Sequence, residues 1–171
     1  MLKKMLLIGV AAVAAFAVAD HILVVGSEGQ GRAHTADNRI GEFRYNVRKA
    51  VAEGHHPRFD GSLRFAQAPT GTHHAVVIEM GKPRYVEVPP DSHVCEFGGP
   101  GTLTIRRPDG HRQTFRGRVD CRVVDRHNPT TNVGEPDVFR IRFTREHSDH
   151  NFEFDGLVDH GDLVVFRRRS H

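Results

Sequence analysis

The densest group of residues able to do chemistry is Glu146-His147-Ser148-Asp149-His150, followed by His160. In a loop, His147, Asp149 and His150 can converge on Zn²⁺ or Cu²⁺ through imidazole and carboxylate, with His160 as a further ligand. On a strand, His147 and Asp149 share one face while His150 points away, and the segment is simply a polar hairpin between Phe143 and Phe152. The spacing is not the H-E-x-x-H pattern of a helical zinc site. His55-His56 and His73-His74 place adjacent rings on opposite faces if extended, so each offers one ligand at most. Asp125, Glu135 and Asp137, and separately Asp155, Asp159 and Asp162, offer oxygens to Ca²⁺ but lack the dense order of a calcium loop. Their alternative is to end strands and cap turns. Beyond these Zn, Cu and Ca options, no cofactor is expected.

Recognised catalytic patterns are missing. The sequence has no G-x-S-x-G elbow, P-loop or G-x-G-x-x-G segment. Gly29-Gln30-Gly31 and Gly98-Gly99-Pro100-Gly101 carry glycines without the strand-to-helix setting that cradles phosphate. A secreted hydrolase with paired carboxylates stays open as an alternative, because such pairs are set by space rather than by sequence.

The elements available to position these residues are strands. Phe43, Tyr45 and Val47 alternate with charged or polar neighbours, as do Phe115, Gly117, Val119, Cys121 and Val123, and again Phe139, Ile141 and Phe143. Period two gives each segment a dry and a wet face. Shorter strands are expected at residues 22–25, 62–65, 75–80, 84–88, 101–106, 151–155 and 162–167. Pro108-Asp109-Gly110 marks a hairpin turn, while Gly81-Lys82-Pro83, Pro89-Pro90-Asp91 and Asn128-Pro129-Thr130 break strands. Residues 26–38 are polar and glycine-containing without a period, and 48–53 is the most helix-like stretch. An all-β fold of about eight to ten antiparallel strands follows, as a β-sandwich or a closed β-barrel.

Ahead of that domain, Lys3 and Lys4 precede an apolar run ending in Ala17-Val18-Ala19, the pattern of a secretory signal peptide. The expectation is a signal-peptide helix at 1–19 and a single domain at 20–171, secreted or periplasmic, with no membrane span after cleavage. Asp20 would then lead the chain and His21 follow it, which disfavours a copper site built on an N-terminal histidine. Export recasts Cys95 and Cys121 as a structural disulfide, worth about 3–4 kcal/mol on chain-entropy grounds. Loss of Lys3 and Lys4 from the 24 basic residues leaves them nearly balanced by the 21 acidic ones, so nucleic acid is not an expected partner. Arg167-Arg168-Arg169 is the one dense basic run, read as a solvated strand end or a contact for an anion.

Several motifs in order carry a resemblance. Gly41-Glu42-Phe43-Arg44-Tyr45-Asn46-Val47, Gly61-Ser62-Leu63-Arg64-Phe65, Phe115-Arg116-Gly117-Arg118, Gly134-Glu135-Pro136-Asp137-Val138-Phe139-Arg140-Ile141, Phe154 with Gly156, and Gly161-Asp162-Leu163-Val164-Val165 span residues 41–166. Together they resemble the post-COAP-1-like domain of secreted bacterial proteins, which implies an all-β extracellular module without an established catalytic centre. The leading expectation is a non-catalytic secreted β-domain, either a structural accessory or a module binding protein or polysaccharide, through end loops or a groove on the arginine-rich face. An exposed Tyr45 or Tyr85 in a cleft would favour binding; burial, expected for Tyr45, would favour structure. The alternative is a metal-binding protein using the His147, Asp149 and His150 cluster. Oligomeric state is left open.

Overall fold

The computed structural model describes residues 22–126, 134–145 and 151–170, and within them every regular element is a strand. In chain order these are β1 (Ile22–His34), β2 (Ile40–Ala52), β3 (Arg58–Gln67), β4 (Ala75–Met80), β5 (Tyr85–Glu87), β6 (Val94–Arg106), β7 (Arg112–Val124), β8 (Val138–Thr144) and β9 (Phe152–Ser170). They form one antiparallel sheet in the order β4-β3-β2-β1-β9-β8-β7-β6-β5, and β4 also pairs with β6. That pairing closes eight strands into a barrel and leaves β5 as an added segment on β6. Of the two expected architectures, the chain adopts the barrel. The expected signal peptide lies outside the described residues.

Closure follows from the alternation. Inward side chains of every strand meet in one core: Phe43, Tyr45 and Val47 from β2, Leu63 and Phe65 from β3, Ile78 from β4, Phe97 and Leu103 from β6, Val119 from β7, Phe139, Ile141 and Phe143 from β8. Phe139 stands at its centre, stacked on Phe43 with ring centroids 4.4 Å apart and on Phe65 at 5.8 Å. Tyr45 packs against Phe97 at 5.3 Å. Its hydroxyl is buried, yet it is satisfied: Ser27 Oγ donates to the Val164 carbonyl at 2.8 Å and accepts from Tyr45 Oη at 3.0 Å.

Two strands depart from the sequence reading for identifiable reasons. Residues 26–34 continue β1, because its inward positions are Ser27, Gly29, Gly31 and Ala33. Gly29 lies directly across from Tyr45 and Gly31 from Phe43. A Cβ on Gly29 would come within 3.0 Å of the Tyr45 ring and 2.8 Å of Leu163 Cβ, so the neighbours' rings fill the space that β1 leaves empty. A strand whose inner face is nearly bare has no apolar period to read. The expected strands at 151–155 and 162–167 are in turn one strand, β9, interrupted by a bulge at Asp159. Ala33 pairs with Val158 and Arg32 with His160, so Asp159 is the extra residue. The bulge shifts parity by one, and Phe154 and Leu163, on even and odd positions, both face inward. Residues 48–52 extend β2 rather than forming a helical turn.

Punctuation is closer to expectation. At the β6–β7 hairpin, Gly110 N donates to Arg107 O at 3.0 Å and Asp109 Oδ1 accepts from His111 N at 2.9 Å. The disulfide is a correction: Cys95 and Cys121 are free thiols, both buried in the barrel. Cys95 pairs with Val123 and Cys121 with Phe97, so the cysteines are diagonal rather than opposite on β6 and β7. Diagonal partners sit about 7–8 Å apart at Cα, beyond the roughly 4.4–6.8 Å that a disulfide spans. Burial pushes the Cys95 thiol up to about 12, and lifts Cys121 and the Tyr45 hydroxyl well above their ordinary values.

Phe139→Ala is expected to destabilise the barrel by about 3–5 kcal/mol, the usual cost of emptying a ring from a packed core, read from urea unfolding midpoints. The raised thiols and phenol set an alkaline limit. These groups hold their protons in the folded barrel, whereas the unfolded chain ionises from about pH 8.5 for cysteine and about 10 for tyrosine. Stability is therefore fully present below about pH 8.5 and falls as the pH rises toward 12. Urea midpoints across that range should decline, less so in a Cys95→Ala/Cys121→Ala variant, and a thiol reagent should label both cysteines only on unfolding.

Candidate anion-binding cleft

The outer face of β6 is where two segments meet along one edge. Met80 at the end of β4 pairs with Gly101, and Tyr85 at the start of β5 pairs with Gly98. Residues 81–84 thus stand opposite only Gly99 and Pro100, and Arg84 N donates to Gly98 O at 2.7 Å to restart the ladder. Pro100 lies at this break, as prolines inside sheets commonly do. β5 then turns across the barrel to lie near β1 and β2, burying Val86 in the core.

The break opens a cleft of about 600 Å³. Its floor is the backbone of Gly98, Gly99 and Gly117, and its walls carry Arg84, Arg116, Arg118 and Arg145 with Tyr85 and Pro100. Tyr85 is half-buried, with its ring lying across Gly98, and its hydroxyl donates to Asp120 Oδ1 at 2.8 Å. A Cβ on Gly98 would meet Tyr85 Cε1 at 2.7 Å and Asp120 Oδ1 at 2.8 Å, so a bare residue is required there. Desolvation, and then the Asp120 carboxylate that the hydroxyl serves, raise the Tyr85 phenol far above its ordinary value. Arg118 completes the wall, with its Nε 2.8 Å from Asp120 Oδ1 and its guanidinium 5.8 Å from the Tyr85 ring centre.

The remaining arginines of the cleft are differently placed. Among the described residues, Arg84, Arg116 and Arg145 have no carboxylate within ion-pair distance, although Arg145 lies over the Phe115 ring at 5.0 Å. Elsewhere several outward arginines are matched across strands, Arg122 with Glu96 at 3.1 Å, Arg142 with Glu153 at 3.6 Å, Arg48 with Asp60 at 2.6 Å, and Arg140 with Asp155, whereas Arg44, Arg58, Arg106, Arg107 and Arg112 have no described carboxylate within ion-pair distance. Exposed pairs of this kind add little stability, but they cancel local field. In the cleft three such uncancelled arginines share one recess, whose low-dielectric walls strengthen their pull on an anion. Guanidinium groups suit carboxylate, sulfate and phosphate oxygens because they donate in a planar fork.

The residues singled out from the sequence fall elsewhere. His147, Asp149 and His150 lie outside the described residues, and His160 is exposed at the β9 bulge. Among the described residues, no group of three or more His, Cys, Asp or Glu is arranged to hold a metal ion. The two acidic stretches do meet: Glu135, Asp137, Asp159 and Asp162 border a hollow of about 300 Å³. Three of those carboxylates are engaged, Asp137 accepting from Arg126 N at 2.8 Å, Glu135 with Arg126 Nη1 at 2.7 Å and Asp159 with Arg32 Nε at 3.1 Å. Asp125 likewise accepts from Val165 N at 3.3 Å, so Asp125 and Asp137 tie distant segments together rather than capping turns of their own. His55, His56, His73 and His74 are all exposed. Tyr45 is structural, whereas Tyr85 belongs to a cleft wall.

Arg84, Arg116 and Arg145 were not marked by sequence reasoning. The signal was Arg116-Gly117-Arg118 facing Gly98-Gly99-Pro100-Gly101: outward arginines beside residues with no side chain to fill the space between them. Register is needed to see it, since Gly101 pairs with Gly117 and Pro100 with Arg118.

Gly98→Val is expected to push the Tyr85 ring off Asp120. Ultraviolet titration of the two tyrosines should then show one phenol returning toward the ordinary range near 10, while the Tyr45 phenol stays high. Comparison of the chain with protein-family models, with curated proteins and with solved structures gives no match.

Proposed function

We propose that the protein is an exported, non-catalytic β-barrel module that binds anionic ligands through the arginine cleft. The observation that carries this reading is the grouping of Arg84, Arg116 and Arg145, unpaired with any described carboxylate, around the glycine backbone of one recess. Rigid strands hold the cleft walls, which keeps the ordering cost of binding low. Among the described residues its carboxylate neighbour is Asp120, which is tied to Tyr85 and Arg118.

The outer surface bears on the setting. Rows of Arg, Asp and Glu face outward and the apolar side chains face inward, the reverse of the apolar outer band on a lipid-facing barrel. Among the described residues no helix is long and apolar enough to cross a membrane. A secreted or periplasmic location, with the likeness to post-COAP-1-like modules over residues 41–166, belongs to the same proposal.

Calorimetric titration with a polyuronate tests it. Binding should weaken as salt rises, because the contacts are charge-assisted and solvent-accessible. Arg116→Gln should cost about tenfold in affinity, the equivalent of one lost charge-assisted hydrogen bond at about 1.5 kcal/mol. Arg48→Gln, on a strand away from the cleft, should leave affinity unchanged. Equal binding by wild type and an Arg84→Gln/Arg116→Gln/Arg145→Gln variant would defeat the proposal.

A further inference from the structure

Barrel closure puts a second set of arginines on the same track as the cleft. Reading outward positions straight across the sheet, Arg44 on β2 pairs with Arg64 on β3, Arg64 with Glu79 on β4, Glu79 with Thr102 on β6, and Thr102 with Arg116 on β7. Four interstrand steps of about 4.8 Å place Arg44 about 19 Å from Arg116 along the barrel surface. Arg44 and Arg64 border a second hollow of about 460 Å³. Beside this row runs another that starts at Glu42, which shares the second hollow with Arg44, and continues through the short outward residues Ala66, Val77, Thr104 and Thr114, again paired strand by strand. Thr104 and Thr114 join their hydroxyls at 3.0 Å. None of these side chains reaches as far as a guanidinium, so the two arginine groups are the raised ends of a low shelf.

We infer that the ligand of the cleft is an extended acidic polysaccharide lying across this shelf, with one carboxylate in the Arg116 cleft and another at Arg44 and Arg64. The inference rests on the anion-binding reading of the cleft and gives it a substrate class. The middle of the track argues for sugars over a densely charged polymer. Glu79 would keep a chain with an anion on every unit from lying along the whole track, though not from entering the cleft at its end, and it accepts hydrogen bonds from neutral hydroxyls. Its pairing with Arg64 is long, 3.7 Å between exposed groups, and so is readily exchanged for ligand contacts. Thr102, Thr104 and Thr114 add hydroxyls that both donate and accept. Two sites joined through one chain bind with an avidity that depends on its reach.

The probes are oligosaccharides of alternating glucuronate and N-acetylglucosamine, from two to ten sugars, titrated into the full barrel. Wild-type affinity should rise with length and level off once the chain spans both arginine groups. Arg44→Gln/Arg64→Gln should weaken the longest probe at least tenfold and leave the disaccharide unchanged, whereas Arg116→Gln should weaken both. Both variants change exposed outward side chains, and unaltered thermal melting confirms that they fold. Length-independent affinity, or no effect of Arg44→Gln/Arg64→Gln, overturns the track while the cleft reading stands. Tighter binding of an oligoglutamate of equal charge overturns the sugar class. Failure of every probe, and of the polyuronate, removes both readings.

Discussion

Much of this molecule is determined by how one edge of β6 is shared. β4 pairs with the second half of that strand and shuts the barrel; β5 pairs with the first half and turns inward across the end. Four residues must fit opposite two at the junction, and no regular ladder can accommodate them. The surplus backbone is what opens the cleft, and the glycines of β6 let Tyr85 lie flat beside it. Closure, the burial of Val86 in the core and the arginine-lined recess therefore share one structural cause.

A second constraint operates inside. Phe43, Tyr45, Phe65, Phe97, Phe139 and Phe154 crowd a narrow barrel, and neighbouring backbone must yield space to them. β1 does so with Ser27, Gly29, Gly31 and Ala33. The rings cover the glycine backbone, and Ser27 serves as the acceptor for the one buried phenol. Glycine weakens a strand taken alone, so β1 depends on β2 and β9 on either side, with which it pairs along its whole length. On the exterior, acids and arginines meet across β2–β3, β6–β7 and β8–β9, and three of the cleft arginines stand outside that matching.

The legible parts of the sequence were those in which apolar residues alternate without interruption. Phe43-Tyr45-Val47 and Phe139-Ile141-Phe143 read as strands and are strands, and Asp109-Gly110 reads as a turn and is one. The all-β class followed from these. The missed parts share a different property, in that their signal lies in a partner strand. Gly29 makes sense only beneath Tyr45, Asp159 only as the residue that restores parity between Phe154 and Leu163, and Arg116 only opposite Thr102 and near Gly99. The cysteines mislead for the same reason. Their count and the expectation of export favour a bridge, but a register offset of two residues leaves them diagonal. The histidine cluster drew attention by density, while the cleft arginines are dispersed over the β4–β5 connection, β7 and the residue after β8.

The central claim is that uncancelled positive charge at the break between β4 and β5 along β6 is a binding site. Amide chemical-shift mapping during titration with a glucuronate-containing oligosaccharide tests it most directly. The account predicts progressive shifts concentrated at Gly98, Gly99 and residues 116–118, with Tyr85 among them. Shifts centred instead on the acidic hollow of Glu135, Asp159 and Asp162, or spread evenly over the barrel, would contradict it.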